Sequence, residues 1–196
     1  MNVLVIPEDF RKDQYILKPI VQAMMVAVGQ PRAEVRVCQD PLLGSVAQAT
    51  RWERIEPIIT RYRYRVGLFL LCVDRDGDGN RRASLDYLER RAAALLTGDR
   101  RFLAEHAWQE IEVWALAGQD LPAAWSWPAV RAEPNPKERY YLPYAVQRGL
   151  TNEPAYGRRT LAEEAAQQYE RLRQRCPEIA GLEQRLSDWL GDRRSI

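Results

Sequence analysis

Three aspartates stand at alternate positions in the segment Asp74-Arg75-Asp76-Gly77-Asp78-Gly79, and two glycines open its backbone into a turn. Acids at that spacing can aim their oxygens at one point, where they repel one another. A hard divalent cation relieves the repulsion: Mg²⁺ or Mn²⁺, with Ca²⁺ also chemically suited, since such ions prefer oxygen ligands. The plainer alternative is an ordinary acidic turn, because Asp and Gly favour turns for local reasons. The spacing, together with the apolar run VGLFLLCV directly upstream, favours metal binding by Asp74, Asp76 and Asp78. A calcium loop of the EF-hand type fits less well. Its twelfth position is Leu85 instead of a bidentate Glu, its eighth is Arg81, and the segment before it reads as strand, not helix.

Further acids lie where a sheet could gather them. Glu8 follows the first apolar run, residues 3–6, with Asp9 and Asp13 close behind. Glu110 and Glu112 interrupt the otherwise apolar stretch HAWQEIEVWALA, in which Trp114 and Leu116 read as core. At least one of these glutamates is expected to face a site or an ion pair; the alternative is a solvated helix face carrying both. His106 is the sole histidine and is read as a structural residue. The chain carries no GxSxG, Walker A or GxGxxG motif, which leaves serine hydrolase, nucleotide hydrolase and dinucleotide-binding readings without support. Trp125, Trp127, Tyr140, Tyr141 and Tyr144 are interleaved with Arg131, Lys137, Arg139 and Arg148. Such aromatics can stack on bases, with Arg131 and Arg139 as nucleic-acid contacts. Packing beneath a loop is the commoner use of these residues and the one expected here.

The elements that must position these acids follow from hydrophobic periodicity. Residues 3–6 and 34–38 read as strands, and residues 66–73 as a strand buried on both faces. Residues 13–28 have helical spacing and stop at Gly29. Residues 46–62 read as a helix broken or kinked at Pro57, and residues 81–96 as another helix. Residues 102–117 start as a short strand and become a helix near residues 110–116. This alternation predicts an α/β fold with a mostly parallel, Rossmann-like sheet flanked by helices, whose ligands bind beyond the carboxyl ends of the strands. Residues 118–152 read as loop-rich; residues 159–175 and the stretch from Pro177 to about Leu190 read as C-terminal helices. The expected organisation is a single domain over residues 1–196, with a core over about 1–117, the loop-rich segment 118–152 and a helical part over 153–190.

Composition limits the partners. The net charge of +2 argues against purely electrostatic binding to nucleic acid, although a local basic face is compatible with it. Nearly all the basic residues are Arg, with Lys only at Lys12, Lys18 and Lys137. Arg suits bidentate phosphate contacts, and codon usage is an equally good explanation. Cys38, Cys72 and Cys176 form no CxxC pair and suit a reducing compartment. The apolar start is too short for a signal peptide, and no stretch approaches membrane-spanning length, so a cytoplasmic protein without a membrane partner is expected.

Taken in order, PEDFRKDQYILKP, LLCVDRDGDG, AWQEIEVWALAG and NPKERY resemble the DUF4276 family of Toprim-related proteins. Toprim domains occur in topoisomerases, bacterial primases and the overcoming-lysogenization-defect nucleases. The resemblance runs from about Val3 to the C-terminal helices and implies a Toprim-like fold with divalent-metal phosphodiester chemistry. By position it makes Glu8 the Toprim glutamate and Asp74 and Asp76 the DxD pair. Glu110 or Glu112 becomes the further acidic ligand of the nuclease branch, and Lys137 its late lysine. It implies Mg²⁺ or Mn²⁺ as cofactor, nucleic acid as substrate with DNA ahead of RNA, and a separate ABC- or SMC-type ATPase in a phage-defence or mobile-element system. The rival expectation is a non-catalytic interaction protein whose metal only stabilises the fold.

Overall fold

The structure, a computed structural model, describes residues 1–192; the last four positions of the expected 1–196 span lie outside the described residues. Four parallel strands form the central sheet: β1 (Asn2–Pro7), β2 (Glu34–Val37), β3 (Leu68–Asp74) and β4 (Arg101–Ala107). They lie in the order β2-β1-β3-β4. Residues 68–73 of β3 are wholly buried, as the continuous apolar run requires of a central strand covered on both faces.

Strand side chains alternate between the two faces, and so does the core. Val3, Val5, Leu68, Leu70, Cys72 and Leu103 pack on one face with α1 (Phe10–Ala27) and α5 (Glu112–Ala117), and with α8 (Arg158–Gln167), α9 (Tyr169–Arg175) and α10 (Pro177–Asp192). Leu4, Ile6, Phe69, Leu71, Val73, Phe102 and Ala104 pack on the other with α2 (Val46–Ala49), α3 (Trp52–Tyr62) and α4 (Arg81–Leu95). The fold is therefore the expected α/β arrangement, Rossmann-like and wound in both directions from its middle.

Local chemistry sets the element ends. Asp9 caps α1 by accepting the Arg11 N–H at 3.0 Å, and α1 ends before Gly29, whose φ of +75° costs a glycine nothing. The single helix expected over residues 46–62 is two helices. The break falls at Thr50 and Arg51, not at Pro57, which lies inside α3. There the Thr50 hydroxyl donates to the Val46 carbonyl at 2.8 Å, a local bond that competes with the helix ladder. The helix expected over residues 159–175 is likewise divided at Gln168 into α8 and α9.

The segment read as loop-rich carries α6 (Trp127–Ala132), a π-helical turn (Lys137–Tyr141) and α7 (Leu142–Gln147). Its aromatics pack, as expected. Tyr141 is fully buried, Trp125 sits edge-on to Tyr140 at 5.2 Å, and the Trp127 indole N–H donates to the Arg175 carbonyl. α5 and α8 approach so closely at Gly118 that a Cβ there would stand 2.3 Å from the Ala165 Cα. No helix among the described residues is long and apolar enough to cross a membrane.

Candidate functional site

The chain leaves β1 toward the α1 face and leaves β3 toward the α4 face, so the sheet splits its connections between these neighbouring strands. Such a divergence is a topological switch point, beyond whose carboxyl ends sheets of this kind form a crevice and take their ligands. Glu8 follows β1, and Asp74 closes β3. The Asp74 N–H donates to Glu8 Oε2 at 3.1 Å, so the Glu8 carboxylate lies against the end of β3, near enough for its charge to act on Asp74.

The Asp74–Gly77 turn is held by the loop after β4. The Arg75 and Asp76 N–H groups donate to the Gln109 carbonyl at 2.9 and 3.1 Å, and the Gly77 N–H donates to Gln109 Oε1 at 3.0 Å. Asp74 Oδ1 in turn accepts the Ile111 N–H at 2.7 Å. Asp76 and Gln109 both have positive φ, +51° and +69°, a region that non-glycine residues enter at a cost. The clamp between the two loops stabilises it.

Asp13, on the first turn of α1, is 8% exposed and accepts the Asp9 N–H at 3.0 Å. Glu112, at the start of α5, is 3% exposed and ion-paired to the buried Arg158. Burial pushes the Glu8 carboxyl up to about 7, and the nearby charges of Asp76 and Glu112 add to the effect. Burial, with Glu8 and Glu112 adding to it, pushes Asp13 up to about 7 as well. Asp74 is raised well above the usual carboxylate range, first by burial and then by Glu8, Glu112, Asp13 and Asp76. The buried Arg81 counters at Glu8 and Arg158 at Asp13, but neither cancels the crowding.

Glu110 and Lys137 border this group. The Lys137 N–H donates to Glu110 Oε2 at 2.8 Å, and its ammonium pairs with Glu138 at 3.1 Å. Burial pushes Glu110 up to about 7, and Glu112 and Glu138 raise it further. The solvated helix face considered for Glu110 and Glu112 is not what forms: Glu110 is half-buried and Glu112 buried.

The sequence-derived site is thus brought together at Glu8, Asp74, Asp76, Glu110, Glu112 and Lys137, and divided elsewhere. Asp78 turns away from it. Its side chain accepts the Asn80 N–H at 2.8 Å and lies 3.6 Å from Arg81, ordering the start of α4. Arg131, expected as a nucleic-acid contact, makes a two-pronged bond to Glu178 at 2.9 and 3.0 Å. Glu178 also accepts the Trp108 N–H and the Trp114 indole N–H. Arg139 is exposed on the π-helical turn. His106 lies in β4 beside Glu105, and burial lowers its pKa.

Arg81 and Arg158 were not singled out from the sequence as members of the site, and Asp13 was noted there only as an acid close behind Glu8. Each occupies the apolar stripe of its own helix: Asp13 with Ile16, Leu17 and Ile20, Arg81 with Leu85, Leu88 and Ala92, and Arg158 with Leu161, Ala162 and Ala165. A charge on an apolar stripe was the available signal.

The donor set fits a hard divalent cation in kind, being all oxygen and short of positive charge. Glu8, Asp74 and Asp13 each give one oxygen to a backbone N–H. In this side-chain arrangement no group of three or more acidic, histidine or cysteine side chains among the described residues is placed to hold an ion. Asp76 is exposed and has the most freedom to turn inward. No protein-family model, curated protein or solved structure matches the chain, and the meaning of the crevice rests on its own residues.

Proposed function

We propose that this protein is a divalent-metal-dependent phosphodiesterase acting on nucleic acid, with its site in the crevice between β1 and β3. The observation that carries the reading is the meeting of Glu8 and Asp74 at the topological switch point, amid further acids that no neighbouring cation fully offsets. Glu8, Asp74 and Asp76 would hold Mg²⁺ or Mn²⁺, with Glu110 or Glu112 as a further oxygen donor. Bound there, the ion supplies Lewis-acid neutralisation of phosphate charge.

The chain's own residues supply the rest. The clamp from Gln109 and Ile111 fixes the backbone of the Asp74–Gly77 turn, so side-chain rotation, above all of Asp76, is what would bring its carboxylates onto an ion. Arg81 and Arg158 limit the repulsion among the crevice acids. Lys137, at the edge of the acidic group, pairs with Glu138 and would offset charge on a phosphate oxygen by exchanging that partner. The resemblance to Toprim-related nucleases supports the same reading and adds the separate ATPase partner.

The test is conversion of supercoiled plasmid to nicked circles by purified protein in Mg²⁺, Mn²⁺ or EDTA, beside an Asp74→Ala/Asp76→Ala double variant whose circular dichroism shows it folded. Metal-dependent nicking that disappears in the variant is the expected result. Equal nicking by the folded variant would overturn the assignment. Absence of nicking in either metal, with and without a co-purified ATPase, would favour the rival interaction role.

A further inference from the structure

The crevice is acidic, and a polyanionic substrate needs positive charge at its lip. Most nearby cations are already committed: Arg158 to Glu112, Arg131 to Glu178, Lys137 to Glu138, and Arg82 to Asp86, Glu89 and Glu105. Arg81 is 9% exposed, lies near Asp78 and donates to the Arg75 carbonyl. Arg75 differs from all of these. It stands between Asp74 and Asp76 on the turn itself and is half-exposed. Its guanidinium lies 3.9 Å from the centre of the Trp108 ring and makes no ion pair among the described residues.

The platform under Arg75 is fixed from behind. The Trp108 N–H is held by Glu178 of α10 at 3.2 Å, and Arg131, itself tied to Glu178, lies 5.5 Å from the same ring. A guanidinium stacked on an indole keeps its edge N–H groups available, which suits two-pronged contact with phosphate oxygens. Stacking also removes rotamer freedom before any ligand arrives, so less is lost on binding. The backbone of the same residue is held by Ala107 and Gln109, so the turn that presents the acids also aims the arginine.

We infer that Arg75, stacked on Trp108, is a substrate-binding residue that grips a backbone phosphate of a nucleic acid next to the phosphate held in the acidic crevice. The inference rests on the proposed phosphodiesterase reading. It gives that site a built-in contact which positions the polymer without touching the reacting atoms.

The experiment follows the anisotropy of a fluorescein-labelled DNA duplex titrated with full-length protein. Ca²⁺ replaces Mg²⁺, and the salt concentration is varied. Arg75→Gln is expected to weaken binding about tenfold, as loss of a charge-assisted contact does. It should also make the slope of log affinity against log salt shallower by about 0.9, the signature of one lost phosphate contact. Arg75→Lys, which keeps the charge and loses the planar fork, should fall between. In plasmid nicking, Arg75→Gln should raise KM and leave kcat near wild type, with an unchanged melting temperature. Equal affinity and equal salt slope in Arg75→Gln, from a wild-type protein that nicks plasmid, would overturn this inference and leave the phosphodiesterase reading intact. A wild-type protein that neither binds nor nicks DNA would overturn that reading, and this inference with it.

Discussion

Asp13→Asn should make the metal-free protein more stable above neutral pH. The side chain is 8% exposed, and its carboxyl is pushed up to about 7, first by burial and then by Glu8 and Glu112. A carboxyl raised in the folded state is protonated there while the unfolded chain has already lost its proton. Stability is therefore full below the usual value of 3.8 and falls as pH rises toward 7. Raising a carboxyl over that interval corresponds to ~4 kcal/mol lost at pH 8 for an isolated group. Glu8 titrates over the same interval and shares part of that cost, so about 2 kcal/mol is the amount assigned to Asp13 alone. Asparagine keeps an oxygen for the Asp9 N–H and carries no charge, so the variant escapes the loss. For a chain of this size, about 2 kcal/mol is roughly 5 °C in melting temperature. Thermal melts in EDTA from pH 4 to pH 9 should show wild type and Asp13→Asn together at the acid end. The variant should pull ahead between pH 4 and 7 and keep its lead beyond. A variant that melts at or below wild type at pH 8 would refute the crowding argument.

Two further outcomes follow from Arg158, which is buried, and Arg131, which is half-buried. Arg158→Met leaves Glu112 buried without its partner and should cost ~3–5 kcal/mol in urea unfolding; adding Glu112→Gln should recover much of that, and a loss below about 1 kcal/mol would show the pair to be unimportant. Arg131→Ala should cost ~2–3 kcal/mol because Glu178 loses its two-pronged partner; unchanged stability with weakened DNA binding would instead return Arg131 to the nucleic-acid role expected from sequence.

Strand positions were legible because β3 is apolar throughout and because its neighbours are separated by helical periodicity. Placing Glu8 and Asp74 at one edge needed only the parallel topology. The helix breaks at Thr50 and Gln168 were not legible, since each depends on a local bond or a packing demand that leaves the hydrophobic period intact. The division of labour among charged residues was also hidden. Asp74 and Asp78 look alike in the sequence, yet the carboxylate of one is tied to the Ile111 N–H of the neighbouring loop and the other turns back on Asn80. Arg131 reads as a free cation suited to nucleic acid, yet Glu178 is within its reach; Arg75, passed over in the sequence, is the one left without a carboxylate among the described residues. Spacing along the chain cannot reveal partners supplied from residues 109, 158 and 178.

Those partners show why the C-terminal helices belong to the site. α8 supplies Arg158, the buried counter-charge for Glu112 that also acts on Asp13. α10 supplies Glu178, which fixes Trp108 and Arg131 behind Arg75. It also supplies Arg185, which reaches the Ala104 carbonyl and Glu105 at 2.9 and 2.8 Å on the outer strand β4. The acids could be gathered by the sheet alone, but there they would be a set of repelling charges at strand ends. The helices make the arrangement tenable by setting positive charge beneath it, at Arg158, while Trp108 and Glu178 support positive charge at its lip, at Arg75. Stability and the proposed chemistry would thus rest on the same residues. A substitution in α8 or α10, far along the chain from Asp74, is expected to alter the crevice through its charge balance before it alters the sheet.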